Sequence, residues 1–281
     1  MPEIFRASAP AKVNLSLRVL RRRDDGFHDL ETRMCPLSLC DELSLELQES
    51  GGVRLTCDDP DLPVGEDNLG LMAVRAFESM TGREIHAKIS ITKRIPSGAG
   101  LGGGSSDAAA VLRLLDQALG GQATPQELSK MAASIGSDVP FFLFGQSCDA
   151  RGRGELIEPI EFTARPRLLL VKPPFGVPTP WAYSRWSNSV ENPAFPYGVQ
   201  ALSIGELINE LERPVFEKYL VLGDLKRWLL NQGEVEGALM SGSGATVFGV
   251  MRESADTDAL AERVRSEFGE TYWTEAATIT G

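Results

Sequence analysis

The sequence predicts an α+β protein of two domains, residues 1–160 and 161–281. Three observations lead there. Short segments alternate apolar and polar residues with period two, and apolar stripes at helical spacing lie between them. Near residue 160 a buried strand running into a proline-rich loop, "ARPRLLLVKPPFGVPTP", opens a second region. A chain of 281 residues is also long for one compact core and suits one large domain or two modest ones.

Taken in order, "AKVNLSLRVL" sets Val13, Leu15, Leu17 and Val19 against Asn14, Ser16 and Arg18, the pattern of a half-buried strand. "DELSLEL" does the same with Leu43, Leu45 and Leu47. "NLGLMAVRAFESM" reads as a helix ending at Thr81-Gly82, and "HAKISITK" as a strand with Ala87, Ile89 and Ile91 inward. Strands polar on one face belong to an antiparallel or mixed sheet covered on one side. Ala108, Val111, Leu112, Leu115, Ala118 and Leu119 form a helical stripe stopped by Gly120-Gly121. In "TPQELSKMAASIG", Thr124 is placed to cap, Pro125 to open, Glu127 to complete a capping box and Gly136 to close the helix. Further on, helices are expected around 203–211 and 222–231. "MSGSGATVFGV" supplies a small-residue turn before an apolar strand, and "TDALAERVRSEFG" a late helix.

Composition narrows the function classes. With 42% hydrophobic and 24% charged residues the chain is an ordinary soluble globular protein. Its longest apolar runs are far too short to span a bilayer, and "MPEIFRASAP" has no apolar signal core. A net charge of −11 disfavours nucleic acid and anionic membrane as partners. Cys35, Cys40, Cys57 and Cys148 show no CxxC pairing and no nearby histidine cluster, which suits a reducing cytoplasm. "RVLRRRDDGFH" and "ITKRIPSG" concentrate positive charge; Arg21, Arg22 and Arg23 are a solvated basic turn or a steering patch.

The stretch "RIPSGAGLGGGSSDAA" carries the chemistry. Gly98, Gly100, Gly102, Gly103 and Gly104 fall within seven positions. Glycine loses more backbone entropy on folding than any other residue, so such a run needs positive φ angles or close backbone approach. "GAGLGG" formally fits G-x-G-x-x-G, but "KRIPS" separates it from an amphipathic strand and no acid ends a strand about 20 residues on. A P-loop would need a lysine after the glycines, and there is none. What remains is a glycine loop feeding directly into a helix at Ser105-Ser106-Asp107. Backbone donors and the helix N-terminus would converge there on phosphate oxygens, with serine hydroxyls adding donors or holding a metal-bound water. The plain alternative is a tight turn with Ser105 or Ser106 as N-cap, for which one or two glycines suffice.

"PSGAGLGGGSSDAA" resembles the second motif of the superfamily that holds galactokinase, homoserine kinase, mevalonate kinase and phosphomevalonate kinase. "SAPAKVNLSL" and "MSGSGATVFGV" resemble its first and third motifs, in the expected order between residues 8 and 250. "PAKVNLSLRVLRRRDDGFHDLET", "EDNL", "IGSDVPFFLFG" and "RGRGE" narrow the resemblance to the family of 4-diphosphocytidyl-2-C-methyl-D-erythritol kinases. The similarity extends over most of the chain and is weakest in 185–235. It implies a small-molecule kinase fold: an N-terminal ATP-binding domain, a C-terminal ferredoxin-like domain and the active site between them. It also implies phosphoryl transfer from ATP, with Mg2+, to the 2-hydroxyl of a substrate carrying cytidine diphosphate, in a cytoplasmic monomer or homodimer.

The resemblance assigns residues to roles. Asp138 in "GSDVPFF" matches the catalytic aspartate; by residue type alone it equally caps the turn before Val139-Pro140. Lys12 matches the lysine that lies beside that aspartate, although lysines on strands usually face solvent. Pro96, Ser97, Gly98, Ala99, Gly100, Leu101, Gly102, Gly103, Gly104, Ser105 and Ser106 match the ATP-binding loop. Ser97 stands where methionine is frequent, and Cys148 where a small residue is common. Asn68 in "EDNL" is an N-cap by chemistry and lies near adenine by resemblance. Ser241, Gly242, Ser243 and Gly244 match the third loop near the phosphates. Asn14, Phe27, His28 and Tyr183 match the acceptor site, His28 for the base edge and aromatics for stacking. Phe27 departs from the usual tyrosine, which keeps stacking and loses a phenol. The resemblance assigns no metal ligand; Ser105 and Ser106 are the candidates for one. Two other readings compete: a kinase of another small alcohol, such as homoserine or mevalonate, and a silent nucleotide-binding regulator. "DGFH" speaks against the first, because only a nucleotide-carrying acceptor needs a base-reading pocket. Retention of Lys12 and Asp138 speaks against the second.

Overall fold

The structure, a computed structural model, describes residues 3–60, 62 and 65–281. The chain forms two compact units that interleave in sequence. One comprises the chain up to Ala11, Leu39–Ser97 and Gly102–Gln146; the other comprises Lys12–Ser38, Gly98–Leu101 and Ser147–Gly281. A cut between residues 160 and 161 divides the chain differently, because Lys12–Ser38 and the loop Gly98–Leu101 pack with the C-terminal residues.

In the first unit lie the beginning of β1 (Ile4–Arg22), the end of β2 (His28–Leu47), β3 (Val53–Cys57) and β4 (Ala87–Thr92). β4 runs antiparallel to β2, Leu45 facing Ile89, and parallel to β3, Leu55 facing Ile89. The alternation expected of β2 and β4 buries Leu43, Leu45, Ile89 and Ile91 on one face, joined by Leu55 of β3. Helix α1 (Leu69–Thr81) starts where Asn68 Oδ1 accepts from Gly70 N at 2.8 Å and stops at Gly82. Helix α2 (Gly103–Ala118) is buried along Ala108, Val111, Leu112 and Leu115. Helix α3 (Pro125–Ile135) carries the expected Thr124–Glu127 capping box with Pro125 in its first turn. Helix α4 (Val139–Phe144) is the short apolar "VPFFLF" run, tied to α2 by Arg113 Nη1 donating to Phe142 O at 2.6 Å.

The second unit holds the rest of β1 and β2. Strand β5 (Cys148–Gly152) pairs with β2 and with β6 (Leu156–Pro159). After β7 (Arg167–Lys172) the proline-rich loop leads to α5 (Thr179–Arg185) and a 3-10 turn, Trp186–Asn188. A hairpin of β8 (Gln200–Leu202) and β9 (Gly205–Asn209) follows, β9 lying parallel to β1 with Ser16 opposite Ile208. Then come α6 (Glu212–Lys218), α7 (Leu220–Leu230), β10 (Val235–Met240), β11 (Val247–Met251), α8 (Thr257–Phe268) and β12 (Trp273–Thr278). The four-stranded antiparallel sheet has the order β10-β11-β7-β12. That order, with helices before β10 and before β12, is the split β-α-β topology of ferredoxin-like domains. Leu169, Val171, Leu222, Leu225, Leu229, Val247, Leu260 and Val264 form its core.

Two expectations need correction. Residues 203–211 are not a helix: Ile204, Leu207, Ile208 and Leu211 have helical spacing, but pairing with β1 and β8 makes β9 of Gly205–Asn209. Tertiary pairing overrides local propensity there. The polar side of "AKVNLSLRVL" is also not open to water, since Lys12 and Asn14 are 4% and 3% exposed.

Candidate active site

Segments far apart in sequence converge within the second unit. Lys12 N donates to Leu101 O at 2.9 Å, and Thr246 N donates to Ala99 O at 3.1 Å, so the loop Gly98–Leu101 is held from both sides. Ser241 Oγ donates to Gly100 O at 3.0 Å, while Gly244 N closes a turn on Ser241 O at 2.9 Å. Gly100 has φ +75°, and a Cβ there would overlap the Ser241 carbonyl oxygen and stand 2.8 Å from that of Gly244. Only glycine fits that approach. All three sequence motifs therefore meet at one place.

A polar chain runs beside this loop pair. Lys12 Nζ donates to Asn14 Oδ1 at 2.6 Å, Asn14 Nδ2 to Thr32 Oγ1 at 2.7 Å, and Thr32 Oγ1 to Ser16 O at 2.6 Å. The chain fixes which way the Asn14 amide points and gives a buried ammonium one of the partners it requires. Gly242 packs against it, since a Cβ on Gly242 would lie 3.4 Å from both Lys12 Nζ and Asn14 Oδ1. Thr32 was not visible as a site residue in the sequence; its only signal was a hydroxyl within a strand.

His28 and Tyr183, 155 positions apart in number, come together as stacked rings with centroids 5.6 Å apart and planes 27° from parallel. Trp186 meets His28 edge-on at 6.1 Å, an aromatic that the sequence reading passed over although it follows Tyr183 by almost one helical turn. His28 is 8% exposed, and burial, then the positive charge of Arg22, pulls its imidazole below the usual histidine range. The neutral ring keeps one donor and one acceptor nitrogen. Phe27 is 51% exposed with the Arg153 guanidinium 4.8 Å over its ring. Of the basic turn, Arg21 pairs with Asp29 and Arg23 with Asp25 and Asp29. Thr179, at the start of α5, shares a 2.7 Å hydroxyl contact with Ser243 of the third loop.

The remaining expected residues belong to the first unit. Pro96 and Ser97 precede the glycine loop, and Gly102, Gly103, Gly104, Ser105 and Ser106 run from it into α2. Gly102 occupies the N-cap position in the left-handed region and no side chain caps the helix, so neither serine serves as the simple cap. Ser106 Oγ is fully buried and has no hydrogen-bond partner among the described residues. Asp138 stands half-buried just before α4, and its side chain makes no capping bond. Lys93 is not a free cation: its ammonium lies between the carboxylates of Asp41 and Asp107, the latter at 2.8 Å. Burial, opposed by Lys93 and reinforced by Asp41, pushes the Asp107 carboxyl up to about 7. A cavity of about 220 Å³ lined by Asp58, Asp59, Lys93, Arg94, Ile95 and Pro96 opens beside the segment leading into the loop. Among the described residues Cys35, Cys40, Cys57 and Cys148 are in no disulfide. Among the described residues no helix is long and apolar enough to cross a membrane.

Comparison with known proteins identifies the family. Residues 68–146 match the GHMP kinases N terminal domain and residues 199–271 the GHMP kinases C terminal domain. A 4-diphosphocytidyl-2-C-methyl-D-erythritol kinase of Geobacter metallireducens is 39% identical over 91% of this chain and 92% of its own. The chain belongs to the 4-diphosphocytidyl-2-C-methyl-D-erythritol kinase family. The relative of that name from Methylacidiphilum infernorum is 42% identical over 85% of this chain and 84% of its own. A crystal structure of 4-(cytidine 5'-diphospho)-2C-methyl-D-erythritol kinase superposes with a TM-score of 0.80 at 34% identity, covering 99% of this chain and 100% of that one. Homoserine kinase from Cytophaga hutchinsonii shares the fold at a TM-score of 0.69 and 21% identity. Membership in the kinase family agrees with the α+β architecture and with the split β-α-β sheet described above.

Proposed function

We propose that this protein transfers the γ-phosphoryl group of ATP to the 2-hydroxyl of 4-diphosphocytidyl-2-C-methyl-D-erythritol, a step of the non-mevalonate route to isoprenoid precursors. The observation that carries the proposal is the meeting of Lys12, the Gly98–Leu101 loop and Ser241–Gly244 within one unit. Phosphoryl transfer needs positioning, charge stabilisation and a destination for the hydroxyl proton. The glycine loop and the N-terminal end of α2 supply backbone donors and a partial positive charge for the phosphates. Asn68, with the cavity beside Lys93 and Pro96, serves the adenine end. Asp138 accepts the hydroxyl proton, and Lys12, oriented through Asn14, offsets negative charge on the moving phosphoryl group.

The unpartnered Ser106 hydroxyl fits a role in holding Mg2+ or a water bound to it, with Ser105 beside it. Mg2+ held there would supply positive charge to offset that of the phosphates. For the acceptor, His28 reads the cytosine edge while Tyr183 and Phe27 supply stacking surfaces, and Asn14 contacts the methylerythritol or the base. By sequence order, residues 1–160 hold most of the nucleotide side and 161–281 most of the substrate side, although Asn14, Phe27 and His28 reach the acceptor and Ser241–Gly244 the phosphates; the protein acts as a cytoplasmic monomer or homodimer that binds neither nucleic acid nor membrane. The test measures ADP release with Mg·ATP and a panel of 4-diphosphocytidyl-2-C-methyl-D-erythritol, homoserine, mevalonate and no acceptor. Turnover with the cytidylated acceptor alone, lost in Asp138→Asn, is expected. Turnover with homoserine or mevalonate instead would overturn the acceptor assignment.

A further inference from the structure

The third loop is held by a buried polar assembly that the chemistry above does not use. Asn209, at the end of β9 and 2% exposed, donates from Nδ2 to Met240 O and to Gly242 O, both at 2.7 Å, and accepts from Leu211 N at Oδ1. Glu212, wholly buried, accepts from Met240 N at 2.9 Å through Oε1. Its Oε2 meets Lys226 Nζ at 2.6 Å, and Lys226, equally buried, also donates to Pro196 O at 2.7 Å. Three polar side chains from β9, α6 and α7 are thus aimed, directly or through one another, at the backbone of Met240 and Gly242. Taking an ion pair out of water is costly, and apolar residues of similar volume would hold the fold as well or better. An assembly so expensive points to a backbone whose position matters more than the stability it provides.

That backbone is the site's own. Ser241 lies between the two anchored residues and donates to Gly100 O, and Gly242 packs against Lys12 Nζ and Asn14 Oδ1. We infer that Asn209, Glu212 and Lys226 are positioning residues for phosphoryl transfer, fixing the third loop against the glycine loop and the Lys12–Asn14 pair. The inference rests on the kinase reading above. Its mechanism is specific: Asn209 sets the loop through two carbonyls, Glu212 through one amide, and Lys226 holds the Glu212 carboxyl in place through Oε2. Burial raises the Glu212 carboxyl while Lys226 opposes that rise.

Two variants test it. Asn209→Asp keeps the shape and turns a two-hydrogen donor into an acceptor facing two carbonyls. Glu212→Leu with Lys226→Met replaces the ion pair by apolar groups and leaves Met240 N without its acceptor. Each is assayed for kcat, for KM of ATP and of the cytidylated acceptor, for thermal midpoint, and for amide exchange of residues 240–246 without substrates. Val264→Ala, a core truncation in α8, supplies a control with a lowered midpoint. Expected are a fall in kcat of tenfold or more in both test variants, acceptor KM within twofold of the parent, and faster exchange confined to the loop. The double variant should do this with a midpoint no lower than that of Val264→Ala. A kcat within twofold of the parent in folded Asn209→Asp or in the folded double variant would overturn the inference. So would an equal kcat loss in Val264→Ala. Absence of turnover in the parent would instead refute the kinase reading, while loop exchange would still report on the anchoring.

Discussion

Gly100→Ala isolates the approach of the glycine loop to the third loop. The residue has φ +75°, where an alanine costs roughly 1–2 kcal/mol relative to glycine. Its Cβ would stand 2.8 Å from Gly244 O and closer still to Ser241 O. Reaching an ordinary 3.4 Å contact requires at least 0.6 Å of separation (3.4 minus 2.8) between two loops that are themselves hydrogen-bonded. Both obstacles are backbone, so no rotamer change relieves them. Overpacking of this kind costs about 1–3 kcal/mol, for a total of about 2–5 kcal/mol. At about 2–4 °C per kcal/mol, the thermal midpoint should fall by about 4–20 °C. Displacement near the phosphates should lower kcat/KM for ATP by about 100-fold, the scale attached to a misplacement of about 1 Å. Gly121→Ala is the matched control, with φ +73° and nothing within 4 Å of the new Cβ. It should show the backbone cost alone, about 1–2 kcal/mol, with ATP kinetics unchanged. Differential scanning calorimetry and coupled ADP assays on both variants decide the matter. Should Gly100→Ala match Gly121→Ala in midpoint and kcat/KM, the loop contact is not what the glycine is for.

Asp138→Asn and Lys12→Ala should each reduce kcat by at least about 100-fold while leaving ATP affinity within about threefold, measured by calorimetric titration; turnover near the parent in either would remove that residue from the chemistry. The chain has two histidines, so NMR can follow His28 directly. Its folded pKa lies below the unfolded value of 6.5 through burial and Arg22, so the unfolded chain binds the extra proton first and stability falls as pH drops below 6.5. Acceptor KM should rise over the same range, and Arg22→Ser should move the titration upward. Asp107 has the opposite sign: its carboxyl shifts from 3.8 to about 7 on folding, so its contribution is favourable at low pH and is lost as pH rises through 7. The upper bound is about 4 kcal/mol, and Lys93 reduces it. Denaturant titrations of parent and Asp107→Asn from pH 4 to 8 should therefore diverge in favour of the variant as pH rises. Parallel curves would show that Asp107 does not titrate in this range.

What the sequence made legible was local chemistry whose meaning does not depend on distant residues. The Thr124–Glu127 box, the Asn68 cap and the period-two strands follow from contacts within a few positions, and the structure has them. Residues 203–211 failed for the converse reason, because Leu207 and Asn209 are sorted by pairing with β1, which local spacing does not record. The burial of Lys12 and Asn14 was hidden likewise. The face they occupy is covered by the Gly242 loop, whose contact spans some 230 positions. One long-range feature did leave a trace. Glu212 shares the apolar stripe of Leu211, Val215 and Phe216, and Lys226 that of Leu222, Leu225 and Leu229, so each puts a lone charge where a helix is buried. A single such charge is ambiguous, but two of opposite sign on consecutive helices can satisfy one another only by meeting. Read that way, the ion pair could have been inferred before any coordinates. Its orientation toward Met240 could not, because a backbone amide carries no sequence signature.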